Sequence, residues 1–124
     1  MRAHTVASLI ASWVPDQPVV CLRPAFLEGG ARVFTSLFPG DVLYAVKCNP
    51  HPAVLGSLVR GGVRHFDTAS LAEVRHIREL FGDSVVAYFH HPVKARSAIA
   101  EAAGQHGVKN FVVDHEAEIH KIRE

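Results

Sequence analysis

The sequence predicts an α/β protein, namely the amino-terminal half of an eight-stranded (β/α)8 TIM barrel with about four parallel βα units. Three observations carry this. From Asp41 onward strand-type and helix-type stretches alternate. The polar residues that close successive strands, Lys47, Asp67, His90 or His91, and Asp114, recur at about twenty to twenty-three residues. No Gly-rich phosphate fingerprint follows the first strand, which favours a barrel over a dinucleotide-binding sheet.

Residues 1–40 are expected to lead into the barrel through a helix, a short strand and a second helix, and residues 41–124 to form its first four βα units. Val6, Leu9, Ile10, Trp13 and Val14 fall at helical spacing, so this first helix is expected to pack on a core. It is too short for export or for spanning a bilayer. Val19 to Leu22 is the short apolar strand. Pro24 suits the first turn of the next helix, which carries Phe26, Leu27, Val33, Phe34 and Leu37 and is weakened in its middle by Gly29 and Gly30.

The barrel strands are expected near Val42 to Lys47, Val63 to Asp67, Ser84 to Phe89 and Lys109 to Asp114. Each is followed by a helix with recognisable ends. Pro52 opens the first, with Val54, Leu55, Leu58 and Val59 as its stripe and Gly61-Gly62 as its stop. Ser70 and Glu73 form a capping box for the second, whose stripe is Leu71, Val74, Ile77 and Leu80, with Gly82 just beyond. A third, alanine-rich helix runs from about Lys94 to His106 and stops at Gly107, and a fourth begins near His115 and continues to Glu124.

A chain of 124 residues, 48% of them hydrophobic, can bury a single core. Its net charge of +1 comes from acids and bases spread along the sequence, without the basic stripe that nucleic acid or a membrane surface would require. Neither is an expected partner. Cys21 and Cys48 are the only cysteines and share no ligand spacing, so neither a disulfide framework nor a structural zinc site is expected, and a reducing, cytoplasmic setting fits. Four strands would leave edges on both sides and a complete barrel takes about 250 residues, so the chain is expected to be an amino-terminal fragment.

The chemistry concentrates in Tyr44-Ala45-Val46-Lys47-Cys48-Asn49. Lys47 closes an apolar strand before a turn, where a barrel displays reactive groups, and strand alternation puts small Ala45 on its face, leaving room for a flat ligand. From the residues alone, the ordinary reading leads, that Lys47 closes the strand and carries its charge back to water. Asp67 could be a helix-entry carboxylate or a pocket residue. Ser70 and Glu73 are explained by capping. His90, His91, His115 and His120 lack the i,i+4 spacing that would place two imidazoles on one helical face, so no metal is expected.

Taken in order, Tyr44-Ala45-Val46-Lys47-Cys48-Asn49, Phe66-Asp67-Thr68-Ala69-Ser70 with Glu73, His91-Pro92-Val93-Lys94 and Phe111-Val112-Val113-Asp114 resemble the ornithine/lysine/diaminopimelate decarboxylases. These are pyridoxal-phosphate enzymes of the alanine-racemase-like (fold type III) barrel class. The resemblance extends from Val19 to Glu124. It implies that Lys47 is the catalytic residue that forms the Schiff base with pyridoxal 5'-phosphate, and that Asp67 and Ala45 line the cofactor pocket. The substrate it implies is a small basic amino acid, decarboxylated as the cofactor ring takes up electrons. It further implies a homodimer at full length, and a fragment that is inactive alone because later strands and a carboxyl-terminal β-domain supply the rest of the site. His91 departs from the family, which usually carries asparagine there. The alternatives are a fold type III racemase, and a non-catalytic, decarboxylase-like regulator or pyridoxal-phosphate-binding protein.

Overall fold

The computed structural model describes residues 5–124. Its centre is one parallel sheet of four strands in sequential order, β1 (Leu43–Ala45), β2 (His65–Thr68), β3 (Val86–Phe89) and β4 (Asn110–Phe111). Helices α3 (Pro52–Arg60), α4 (Leu71–Phe81) and α5 (Arg96–Gly104) connect them, and α6 (Glu116–Arg123) follows β4. Parallel neighbours in sequence order, each joined through a helix, are the arrangement of consecutive βα units in a barrel.

The two faces of the sheet differ because side chains alternate along each strand. On the helix side Val46, Phe66, Ala87 and Phe89 are buried among Val54, Leu55, Leu58, Val74, Ile77 and Ala102. Phe66 is the hub: its ring stacks on Phe81 at 5.9 Å and meets Tyr44 edge-on at 6.4 Å. Complete burial of such a side chain contributes about 1.5–3 kcal/mol. The other face carries Leu43, Ala45, His65, Asp67, Val86 and Tyr88, all of them partly or largely accessible. Of the expected stripes, Val54, Leu55 and Leu58 of α3 and Val74 and Ile77 of α4 are buried, while Val59, Leu71 and Leu80 pack against them half-buried.

Helix ends follow their local chemistry. Ser70 Oγ accepts the Glu73 N–H at 3.2 Å, while Glu73 Oε2 reaches back to the Ala69 N–H at 2.8 Å, one residue before the expected partner. His51 and His115 are also caps, each accepting through Nδ1 a backbone N–H two residues later, from Ala53 and Ala117. Gly82, with φ of 54°, ends α4 in a conformation that L side chains rarely adopt. Gly61 has a steric role: a Cβ there would stand 2.5 Å from Ala31 Cβ and 2.6 Å from the Glu28 carbonyl oxygen. Its absence lets α3 lie against α2 (Pro24–Leu37).

The lead-in segment departs from expectation. Helix α1 (Val6–Ser12) forms, with a Thr5–Ser8 capping box, but none of its residues is buried, and Ile10 is 55% exposed. Its apolar spacing thus forms a helix without a core to receive it. Val19 to Leu22 adopts no strand, since a strand requires a neighbour's hydrogen bonds and this run has none among the described residues. Helix α2 forms as expected and runs through Gly29 and Gly30, held by packing on α3 and by Glu28, which pairs with Arg32 at 2.9 Å and Arg60 at 3.3 Å. Residues 1–4 of the lead-in lie outside the described residues. The barrel strands are shorter than expected, and β4 keeps only two residues, extended by one further bond from Val112 N–H to the Phe89 carbonyl at 3.2 Å.

The loop after β3 is organised by a buried cation. The Lys94 side chain is wholly inaccessible, and its ammonium donates to the carbonyls of His91 (2.8 Å), Pro92 (3.2 Å) and Val112 (2.7 Å). Glu118 of α6 stands 3.6 Å from that ammonium and accepts the Lys94 backbone N–H at 3.2 Å. Lys121 closes the cluster, bonding Glu118 and donating to the Lys94 carbonyl at 2.7 Å. A buried charge is tolerable only when its donors are satisfied, and here all three are.

Removing the Lys94 ammonium strands three carbonyls and takes a cation from beside Glu118, which keeps Lys121 and the Lys94 backbone N–H. Lys94→Met is therefore expected to destabilise the fold by about 3 kcal/mol, measured as a lower urea midpoint with unchanged slope. The hydrogen bond from Lys121, opposed by burial and aided by the Lys94 N–H, holds Glu118 below the usual carboxylate range. Its stabilisation is complete above the unfolded-state value, about 4.3, and is lost as pH falls through the lower folded-state value. Glu118→Gln should accordingly lower the midpoint at neutral pH and flatten its decline upon acidification below about pH 4.

Candidate active site

The residues expected to carry chemistry gather at the carboxyl edge of the sheet and on its accessible face. Ala45 and Asp67 are Cα partners on adjacent strands, and Asp67 is in turn the partner of Tyr88. In a parallel ladder such partners point to the same side, so a methyl, a carboxylate and a phenol form a row across β1, β2 and β3. Ala45 leaves open space at one end of that row.

Lys47 does not continue β1. The strand ends at Ala45, and Val46–Cys48 form a single 3-10 turn whose Val46 is drawn into the core with no exposed surface. Burial of Val46 anchors the turn, and the lysine beside it is exposed. The expected strand position of Lys47 is thus corrected: β1 stops at Ala45 and the lysine stands on the turn that follows it. Tyr44 and Asn49 flank the turn, with the Tyr44 hydroxyl 3.5 Å from the Asn49 carbonyl. Burial, followed by the neighbouring Cys48, raises the Tyr44 phenol above its ordinary value.

Asp67 has a specific companion. His90 Nδ1 lies 3.2 Å from Asp67 Oδ1, and the His90 ring meets the Tyr88 ring edge-on at 5.3 Å. One register step down, His65 Nδ1 is 3.0 Å from the Tyr88 hydroxyl and its Nε2 is 3.2 Å from Asp41. Sequence reasoning did not find His65, Tyr88 or the pairing of His90 with Asp67. Alternation in Val86-Ala87-Tyr88-Phe89-His90 could have shown that Tyr88 and His90 share a face. Only strand register could show that the face is that of Asp67.

The other expected residues lie elsewhere. His91 turns back on its own loop, with Nδ1 2.6 Å from the Val93 carbonyl oxygen and 3.2 Å from the Val93 backbone nitrogen, so the strand-closing histidine is His90. Lys94 is structural. Ser70 and Glu73 cap α4 at the border of an open groove lined by Asn49, Pro50, His51, Ala72, Glu73 and His76. Among the described residues no group of three or more His, Cys, Asp or Glu side chains is arranged to hold a metal ion.

The residues present fit a flat aldehyde cofactor. An accessible primary amine stands on a turn fixed by a buried neighbour, a small side chain leaves room for a ring, and a carboxylate lies one strand away in register. Lys94 and Lys121, by contrast, are committed to structural contacts.

Comparison with known proteins agrees. The family profile for the pyridoxal-dependent decarboxylase, pyridoxal binding domain, matches residues 28–124. The chain is 38% identical to the lysine/ornithine decarboxylase of Selenomonas ruminantium over 81 residues, which is 65% of the chain and 20% of that protein. It is 41% identical to the chloroplastic ornithine decarboxylase of Nicotiana glutinosa over 80 residues, 64% of the chain and 18% of that protein. The crystal structure of the Vibrio vulnificus lysine/ornithine decarboxylase complexed with putrescine superposes with a TM-score of 0.78 at 27% identity, covering 98% of the chain and 34% of that structure. The chain thus spans about a fifth of the length of the curated relatives and about a third of that solved structure. Profile, relatives and fold converge: the chain belongs to the pyridoxal-dependent decarboxylases, and residues 28–124 fall in their pyridoxal-binding domain.

Proposed function

We propose that this chain supplies the cofactor-anchoring part of a pyridoxal-phosphate-dependent decarboxylase of basic amino acids, with ornithine or lysine as substrate. The observation that carries this reading is the in-register pair Ala45 and Asp67 beside the Lys47 turn. Residues 41–124 would form the first four βα units of the barrel and residues 1–40 the segment leading into it. In this reading Lys47 holds the cofactor covalently, Ala45 leaves space for its ring, and Asp67 sets the charge near the linkage. When bound, pyridoxal phosphate supplies an electron sink for the bond to the departing carboxylate.

The chain's own residues bind and orient. The buried Val46 keeps the Lys47 turn fixed on the sheet, so the amine is presented from a rigid element. Lys47 is also the group able to return a proton when product leaves. Diamine products, and hence a place in polyamine formation, follow from the substrates in the names of the relatives. A cytoplasmic location and a homodimer at full length belong to the same reading; the two exposed, free cysteines are compatible with a reducing compartment. No helix among the described residues is long and apolar enough to cross a membrane.

Incubation of the chain with pyridoxal phosphate, borohydride reduction and peptide mapping should place the phosphopyridoxyl group on Lys47. Exposed Lys109 serves as the internal control among the four lysines. Equal labelling of the two would count against a dedicated anchor. In the decarboxylase-length protein that carries this chain, Lys47→Ala should lower carbon dioxide release from ornithine or lysine by roughly a thousandfold or more. Labelling of Lys47 without release from any basic amino acid would favour a non-catalytic cofactor-binding protein.

A further inference from the structure

We infer that His90 is a positioning residue for Asp67, holding one carboxylate oxygen so that the other faces what Lys47 binds; the inference rests on the cofactor-anchoring role of Lys47 proposed above. His90 follows β3 directly, and its backbone N–H continues the ladder to the Thr68 carbonyl at 2.9 Å. That bond fixes the His90 backbone relative to the strand that carries Asp67. Alternation then brings the imidazole onto the Tyr88 side of β3, which register makes the Asp67 side of β2.

The contact is specific. Nδ1 meets Asp67 Oδ1 at 3.2 Å, and the edge-on Tyr88 ring limits rotation of the imidazole. Tyr88 is itself held by His65, which is held by Asp41, so the support runs from β1's entry across β2 to β3. A carboxylate is acceptor-only, and a tautomer protonated at Nδ1 is the one that donates to it. Without that donor, an aspartate on an accessible face would sample other rotamers. With Oδ1 engaged, Oδ2 remains for a ligand. His90 and Asp67 are both about one-third exposed, so the pair borders the accessible face rather than the core. Neighbouring His91 serves its own turn, which leaves His90 as the histidine of this loop available to the site.

Two measurements test the proposal. Nitrogen-15 NMR of the imidazoles should show His90 protonated at Nδ1, and Asp67→Ala should move it toward the Nε2-protonated tautomer. Apparent affinity for pyridoxal phosphate, read by absorbance and by borohydride labelling of Lys47, should fall about tenfold in His90→Ala. His90→Asn, which keeps a donor near the Nδ1 position, should stay within about threefold of wild type. An Nε2-protonated His90 in the wild type overturns the inference, as do equal affinities of wild type and His90→Ala, or an asparagine variant as weak as the alanine one. A wild type that takes up no cofactor on Lys47 overturns the reading of the preceding section, and the cofactor-directed role of His90 with it, even where NMR finds the pair with Asp67 intact.

Discussion

The structure depends on the strict alternation of side chains across a parallel sheet whose strands are held in register. Because Ala45, Asp67 and Tyr88 are lateral partners, one face collects Phe66, Ala87 and Phe89 for the helices and the other presents a methyl, a carboxylate and a phenol. A slip of one residue in β2 would exchange the two sets, placing a carboxylate in the core and a phenylalanine on the accessible face. The apolar packing around Phe66 therefore does two things at once. It stabilises the domain, and it fixes which residues line the accessible face.

The turns at the strand ends are held by equally local means. Val46 is buried so that Lys47 is not. Lys94 is buried and fully bonded, so the loop after β3 is pinned to α6 through Glu118, and His90 leaves the strand in a defined direction. Charge is handled differently at the two lysines. Lys94 is surrounded by carbonyls and a carboxylate and is committed to structure, whereas Lys47 remains accessible for chemistry. Local sequence alone does not separate them, since each precedes or opens a loop after a strand.

Much of this was legible beforehand. The α3 and α4 stripes, the Ser70 cap, the glycine stops at Gly61 and Gly82 and the βα order follow from periodicity and terminal chemistry, which act within a few residues. The motif run from Tyr44 to Asp114 pointed to the family that the profile match then established. What was misread depends on distant partners. Helix α1 has an apolar stripe but no receiving surface among the described residues, and Val19 to Leu22 has no neighbouring strand among them.

Sequence by itself determined the class of the fold, because backbone preference and hydrophobic period are local properties, and its ordered motifs carried the resemblance that singled out Lys47, Ala45 and Asp67. Tertiary structure decided that Lys47 stands on a turn rather than in a strand, that Lys94 is a buried strut, and that His90, not His91, meets Asp67. Those outcomes rest on register and burial, in which residues some twenty positions apart become neighbours, and no local pattern specifies them.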